Sequence, residues 1–388
     1  MNSFSFYNPA NILLGTDVLE NLSDQLKKFN VHSLLFVYSG DFIKTLGIWD
    51  KVKQTCEQND IHFYSNGNVV PNPKVELVRE LISLGKEKNI DFIVACGGGS
   101  SIDTAKATAA GIPYKGDVWD FFEYKAVPKE AINIGVISTI PSSGSESSNA
   151  SIISNGLHKC GIEYDILIPK FAMMNPKYTV TLPPYQTSCG LADILSHMLE
   201  RYFTNTSYVD TTDYMLEGAM KALLVNADRI MKNPKDINAR SEVQCLAFIA
   251  HNGLLEIGRE TDWGTHRIEH ELSAQYGITH GEGIAIITVA WTKYASQHNP
   301  KKLSQLANRL FNIDYYNFSE SQMASILSEK LESYFKSLKL HTRLSELHID
   351  DKHFEDMALR ATKNDTQTVG HYIPLDKNKI VEILKLAV

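Results

Sequence analysis

At Leu182-Pro183-Pro184 the apolar residues change their period, and this change constrains the fold more than any other feature of the chain. Before it, short apolar runs alternate with helical spacing. Ser33 to Tyr38, Ile61 to Tyr64, Phe92 to Ala95 and Ile132 to Ser138 read as strands. Asp50 to Gln58, the series Val75, Leu77, Val78, Leu81, Ile82, Leu84, and Ile102 to Ala110 read as helices. Strand and helix in alternation imply a parallel sheet covered by helices. After the prolines, which interrupt regular structure, the apolar residues recur at helical intervals. Leu191, Leu195, Met198, Leu199 and Tyr202 form one series, and Val243 to Leu255 and Tyr294 to Phe311 form others. The expected division is an α/β domain over residues 1–183 and an all-helical domain over 184–388. A chain of 388 residues suits two such domains.

Two loops of the first half follow strands directly. In DFIVACGGGSSIDTAKA, Gly97-Gly98-Gly99-Ser100 joins a strand to a helix start. Glycines let backbone N–H groups approach an anion, and the helix N-terminus adds partial positive charge, which is how a pyrophosphate is held. Ser100 or Ser101 suits a helix cap, and Asp103 lies in the first turn. Neither G-x-G-x-x-G nor a P-loop is present. The second loop, Thr139-Ile140-Pro141-Ser142-Ser143-Gly144-Ser145-Glu146, is dense in hydroxyls. In an open α/β sheet ligands gather at the carboxyl ends of strands, so two such loops point to a nucleotide crevice.

The second half carries a histidine-rich segment, DWGTHRIEHELSAQYGITHG, with His266, His270 and His280. His266 and His270 share one helix face, as do Asp193 and His197 in CGLADILSHMLERY upstream. Imidazole and carboxylate together are the donors of a transition-metal site. A rival pattern occupies the same place: His266-Arg267-Ile268-Glu269-His270 fits H-x-x-E-H, in which both histidines would bind zinc and Glu269 would act as the base of a protease.

A net charge of -7 lacks the basic face a nucleic-acid binder needs. Five widely spaced cysteines with no C-x-x-C argue against a disulfide scaffold and for a reduced, cytoplasmic compartment. MNSFSFYNPANILLG is unlike a signal peptide, and no apolar stretch suits a membrane span.

The chain resembles the iron-containing (group III) alcohol dehydrogenases of the butanol dehydrogenase type. GGGSSIDTAKA is similar to their GGGS-x-x-D-x-A-K loop. Thr139 to Ser148 is similar to T-x-P-x-[ST]-G-[ST]-E. MMNPKYTVTLPPYQTSCGLADILSHMLE is similar to D-P-x-x-T-x-x-[LM]-P running into D-x-x-x-H, and the His266 segment to the second histidine signature. The resemblance implies the fold shared with dehydroquinate synthase: an α/β dinucleotide-binding domain followed by an all-α domain. It implies hydride transfer between NAD(P)(H) and a primary alcohol or aldehyde such as butanol or butanal, and a homodimer. It implies Asp193, His197, His266 and His280 as ligands of one Fe²⁺ or Zn²⁺, with His270 beside the metal for proton transfer and Lys159 at the nicotinamide end. Gly97, Gly98, Gly99, Ser100 and Asp103 would hold the pyrophosphate, and Thr139, Ser142 and Ser148 would line the rest of the cofactor site.

Two departures stand out. Asn175 replaces the Asp of D-P-x-x-T, a mild change. Ser39-Gly40-Asp41-Phe42 stands where NADP-preferring relatives have G-G-G-S; Asp41 repels a 2′-phosphate, so Gly40 and Asp41 favour NAD(H). A glycerol-dehydrogenase-like polyol oxidoreductase, the zinc protease and a non-catalytic NAD-binding protein are the competing expectations.

Overall fold

The computed structural model describes residues 1–388. Eight strands occur, all in the first half: β1 (Asn11–Leu14), β2 (Ser33–Tyr38), β3 (His62–Asn66), β4 (Phe92–Gly97), β5 (Asn133–Ser138), β6 (Ala150–Asn155), β7 (His158–Glu163) and β8 (Phe171–Met174). Six of them form one parallel sheet in the order β1-β8-β5-β4-β2-β3. β6 and β7 form a separate antiparallel hairpin. The four expected strands lie side by side in the sheet. β1 and β8, each four residues long, are too short to show a periodic signal.

Both sheet faces are buried, which is why the strands read as continuous apolar runs. Leu34, Phe36, Phe92, Val94 and Phe171 point to one side, against Leu22, Leu26, Ile48 and Val52. Leu35, Val37, Ile93, Ala95 and Val136 point to the other, against Leu81, Ile102, Ala105 and Ala109. The chain leaves β2 toward the β3 edge and leaves β4 toward β5. The carboxyl ends of β2 and β4 therefore flank a topological switch point, the usual ligand position in such sheets.

The chain forms two compact units. One comprises Tyr7–Leu182 with Lys235–Asn252; the other comprises Met1–Phe6, Pro183–Pro234 and Gly253–Val388. The chain passes between the units at four points, after Phe6, Leu182, Pro234 and Asn252, where a single division at 183/184 was expected. The helix Ile237–His251, expected within the helical domain, belongs to the α/β unit. Its Arg240 donates to Thr179 Oγ1 at 3.3 Å, tying it to the short helix Pro176–Thr179. Asn175 caps that short helix: its Oδ1 accepts from Lys177 N at 2.9 Å while its Nδ2 donates to Thr16 O at 2.7 Å, a bond an aspartate could not make.

The other unit is helical. The expected helix over Tyr294 to Phe311 is two, His280–His298 and Lys301–Phe311, broken at Asn299-Pro300. No helix is long and apolar enough to cross a membrane.

Candidate functional site

Three helices of the helical unit supply its polar centre. Pro184–Tyr202 carries Asp193, His197 and Glu200; Gly264–Tyr276 carries His266, Glu269 and His270; and His280 opens His280–His298. The turn before His280 is set locally. Gly277, at φ +70°, ends the preceding helix in the left-handed conformation that glycine favours, and its N–H returns to Ser273 O. Gly281 then admits a close helix crossing: a Cβ there would stand 2.2 Å from the carbonyl oxygen of Cys189, one turn before Asp193.

The consequence is convergence. The Nε2 atoms of His280, His266 and His197 lie 3.5, 3.8 and 3.9 Å from a single oxygen, Asp193 Oδ1. The donor atoms of Asp193, His266 and His280 all fall within 4.8 Å of one another. His197 completes the group, its ring stacked on His266 with centroids 4.8 Å apart. Two ligands each about 2.1 Å from a tetrahedral ion stand about 3.4 Å apart, so these separations leave room for a cation. Buried His266 Nε2 has no hydrogen-bond partner.

Behind the imidazoles stand two more buried carboxylates. His266 Nδ1 donates to Glu200 Oε1 at 3.0 Å, and the same oxygen accepts from His266 N and from Thr265 Oγ1. His280 Nδ1 donates to Glu269, whose other oxygen accepts from Ser273 Oγ. Each bond fixes the tautomer that presents Nε2 to Asp193. Asp193, Glu200 and Glu269 place three buried carboxylates in and behind the cluster, a setting that suits a cation. Burial drives His197 well below the usual histidine range, into the neutral form a metal requires. Burial also opposes the charged form of His266, but Asp193 and Glu200 outweigh it and raise that group to about 9.

Glu269 is therefore not placed as a protease base: it is fully buried and committed to His280 and Ser273. His270 is buried beside the cluster, its ring centroid 5.8 Å from that of His280. It is not among the groups that converge on Asp193 Oδ1. Glu200 escaped sequence reading. Its position seven residues after Asp193, two helical turns on, was the only available signal.

In the α/β unit the carboxyl ends of β2, β4 and β5 bring Ser39, Gly97–Gly99 and Thr139–Ser143 together. Thr139 N donates to Gly97 O at 3.0 Å. A Cβ on Gly97, itself at φ +145°, would stand 2.5 Å from Ser101 Oγ; on Gly98, 3.2 Å from Ile140 Cβ; on Gly99, 2.7 Å from Ser143 Oγ. Three buried hydroxyls here, Ser101, Ser138 and Thr139, have no hydrogen-bond partner. Ser100 is the second residue of the helix Gly99–Gly111, and partly exposed Ser142 lies on the second loop. Unsatisfied hydroxyls in the first turn of that helix and at the carboxyl end of β5 fit a phosphate-bearing ligand.

Asp103 and Ser148 turn away from that turn and into the protein. Asp103 Oδ1 accepts from Ser145 Oγ at 2.6 Å and Oδ2 from Ile152 N at 3.1 Å. Ser148 O accepts from Lys106 Nζ at 2.7 Å, and Lys106, fully buried, also donates to Ser145 Oγ and Ala150 O. Asp103, expected at the pyrophosphate, and Ser148, expected to line the rest of the cofactor cleft, are thus both engaged within the protein. Lys106 was missed because a lysine on a helix ordinarily reads as solvated. Burial lowers Lys106 to about 8 and raises Glu146 to about 7. Lys159, on β7, is buried close enough to Asp103 for its charge to oppose the rise that burial causes there. Gly40, at φ +70°, turns the chain after β2, and exposed Asp41 pairs with Lys44 at 2.7 Å.

Residues 9–176 match the model of the family described as iron-containing alcohol dehydrogenase. Residues 187–388 match that of the C-terminal domain of the Fe-containing alcohol dehydrogenase family. The chain belongs to the iron-containing alcohol dehydrogenase family. It is 34% identical to the probable NADH-dependent butanol dehydrogenase 1 of Bacillus subtilis, covering 99% of both chains. It is 30% identical to an NADPH-dependent aldehyde reductase of Escherichia coli, covering 98% of both. The structure superposes on the NADH-dependent butanol dehydrogenase A of Thermotoga maritima with a TM-score of 0.95 at 31% identity, covering 100% of this chain and 99% of that one. As a member of the family it is an NAD(P)-dependent oxidoreductase of alcohols and aldehydes. The protease and polyol alternatives are not favoured.

Proposed function

We propose that the protein interconverts a primary alcohol and its aldehyde, of about butanol size, with NAD(H) as cofactor and one Fe²⁺ or Zn²⁺ held by Asp193, His197, His266 and His280. The convergence of three Nε2 atoms on Asp193 Oδ1 carries this proposal. A metal bound there supplies Lewis acidity toward the alcohol or carbonyl oxygen, and the nicotinamide supplies the hydride chemistry. Glu200 and Glu269 orient His266 and His280. His270, one turn from His266 and beside His280, would accept or return the alcohol proton. In the α/β unit the Gly97–Gly99 turn and Ser100 would hold the pyrophosphate, with Thr139 and Ser142 lining the rest of the cofactor site. Asp103 and Ser148 would support them through the second loop. Lys159 would lie toward the nicotinamide end. We further infer a cytoplasmic homodimer, which sedimentation of the purified protein tests.

The decisive experiment is an assay with short primary alcohols and aldehydes, following the absorbance of reduced cofactor. Turnover is expected after loading with Fe²⁺ or Zn²⁺, and its absence with every divalent metal overturns the proposal. Cofactor preference rests on Asp41. Because Lys44 partly neutralises its charge, Asp41→Gly is expected to improve NADPH binding by only about fivefold. An unchanged NADPH/NADH ratio would separate the preference from this carboxylate.

A further inference from the structure

The second loop of the α/β unit is held from outside by a helix that the sequence places in the other half of the chain. Gly144 sits at φ +64°, where a Cβ would meet Ala247 O and His251 Cβ, each at 2.6 Å. Only glycine lets the loop lie this close to the helix Ile237–His251. Four hydrogen bonds exploit the approach. Ser143 O faces His251 Nδ1 at 2.8 Å, and because a carbonyl only accepts, His251 must carry its proton on Nδ1. Ser147 Oγ donates to Phe248 O at 3.2 Å. Asn8 Nδ2 bridges Ser147 O at 2.8 Å and Asn252 O at 3.0 Å, joining the loop to the end of the same helix. Ser143 is also the residue whose Oγ abuts Gly99, at the first turn of the helix facing the expected pyrophosphate. A displacement of Ser143 is therefore a displacement at the mouth of the glycine turn.

We propose that His251 is a positioning residue for cofactor binding: through Ser143 it sets how closely the second loop closes on the glycine turn. It would act through Ser143 rather than by contact with substrate or cofactor. The proposal rests on the glycine turn being the cofactor site, and the test separates the two. NADH is titrated by fluorescence into wild-type protein and into His251→Ala, His251→Asn, Asn8→Ala and Gly99→Val. Metal content and thermal unfolding are measured on each.

His251→Ala is expected to raise the NADH Kd about 3- to 10-fold, the worth of one hydrogen bond. kcat at saturating NADH is expected to stay within twofold of wild type, with full metal content. His251→Asn, whose side-chain amide can still donate to Ser143 O, is expected to recover part of the affinity. Asn8→Ala is expected to raise the Kd by a smaller factor, and it supplies an independent measurement should His251→Ala unfold. A folded His251→Ala with a Kd within twofold of wild type overturns the proposal. So does a fall in unfolding temperature with no change in Kd, which marks a purely structural bond. Gly99→Val is expected to abolish NADH binding. If it binds like wild type, the cofactor site itself is misplaced, and the proposal falls with it. If it fails to bind while His251→Ala is unchanged, only the role of His251 falls.

Discussion

The histidine cluster of the helical unit and the glycine turn of the α/β unit are both pre-shaped, but by opposite means. In the cluster, side chains from three helices converge and charge does the holding: Glu200 and Glu269 fix two imidazoles, and all three Nε2 atoms point at one carboxylate oxygen. At the glycine turn the absence of side chains does the holding, because Gly97, Gly98, Gly99 and Gly144 let backbone and short hydroxyls pack within contact distance. A site built by convergence is sensitive to single functional groups. A site built by close approach is sensitive to volume, and tolerates changes of charge a few residues away.

The largest expected effect tests the first half of that contrast. His266→Ala or His280→Ala should abolish metal retention and lower turnover by roughly 10³-fold or more, the scale of several kcal/mol of lost Lewis-acid assistance. Mass spectrometry of the purified variants checks it, and a variant that keeps its metal and its rate removes that residue from the ligand set.

An intermediate effect is expected one step out. Glu269→Ala leaves His280 without its acceptor and should weaken metal binding about 10- to 100-fold, with Glu269→Gln losing less because an amide oxygen still accepts. Competition with a chromogenic chelator measures it. Equal retention by wild type and Glu269→Ala would mean that the cluster does not depend on its supporting carboxylates.

The smallest effect belongs to the loop. Burial raises Glu146 to about 7, and its Oε1 has no hydrogen-bond partner. A carboxyl whose pKa is higher folded than unfolded binds more protons in the folded state. Its presence therefore costs nothing below the unfolded value of about 4.5, and costs progressively more as pH rises from there to about 7. Glu146→Gln should stabilise the protein by about 1–3 kcal/mol at pH 8 and by nothing near pH 4. Chemical denaturation at the two pH values decides. A destabilised Glu146→Gln at pH 8 would show that the loop uses this charge, and that the two sites differ less than their geometry suggests.

The sequence showed the cluster more fully than the loop, for a physical reason. Asp193 with His197, and His266 with His270, announce themselves because four-residue spacing on a helix places side chains together wherever the helix packs. The glycine turn was also legible, since strand, glycines and helix are contiguous. What spacing does not encode is which distant element meets which. Glu200 carried no signal of its own, Glu269 read as the base of the rival protease pattern, Asp103 read as a first-turn acid of the pyrophosphate loop, and a helix lysine such as Lys106 ordinarily reads as solvated. Each is defined by a partner between 11 and 66 residues away. The helix Ile237–His251 shows the same limit at the scale of a whole element: its periodicity identified it as a helix and said nothing about which unit it would join.

That helix also sets a schedule for synthesis. The last strand of the α/β unit, β8, ends at Met174, yet the segment that completes the unit ends only at Asn252. At ~5–20 residues per second the ribosome needs several seconds to cover that stretch. During that interval the sheet can form, but the loop carrying Ser143 and Gly144 has no outer wall. A nascent chain stopped at residue 183 is expected to remain an unfinished nucleotide-binding unit, however complete its sheet, until the helical half of the gene has begun to be read.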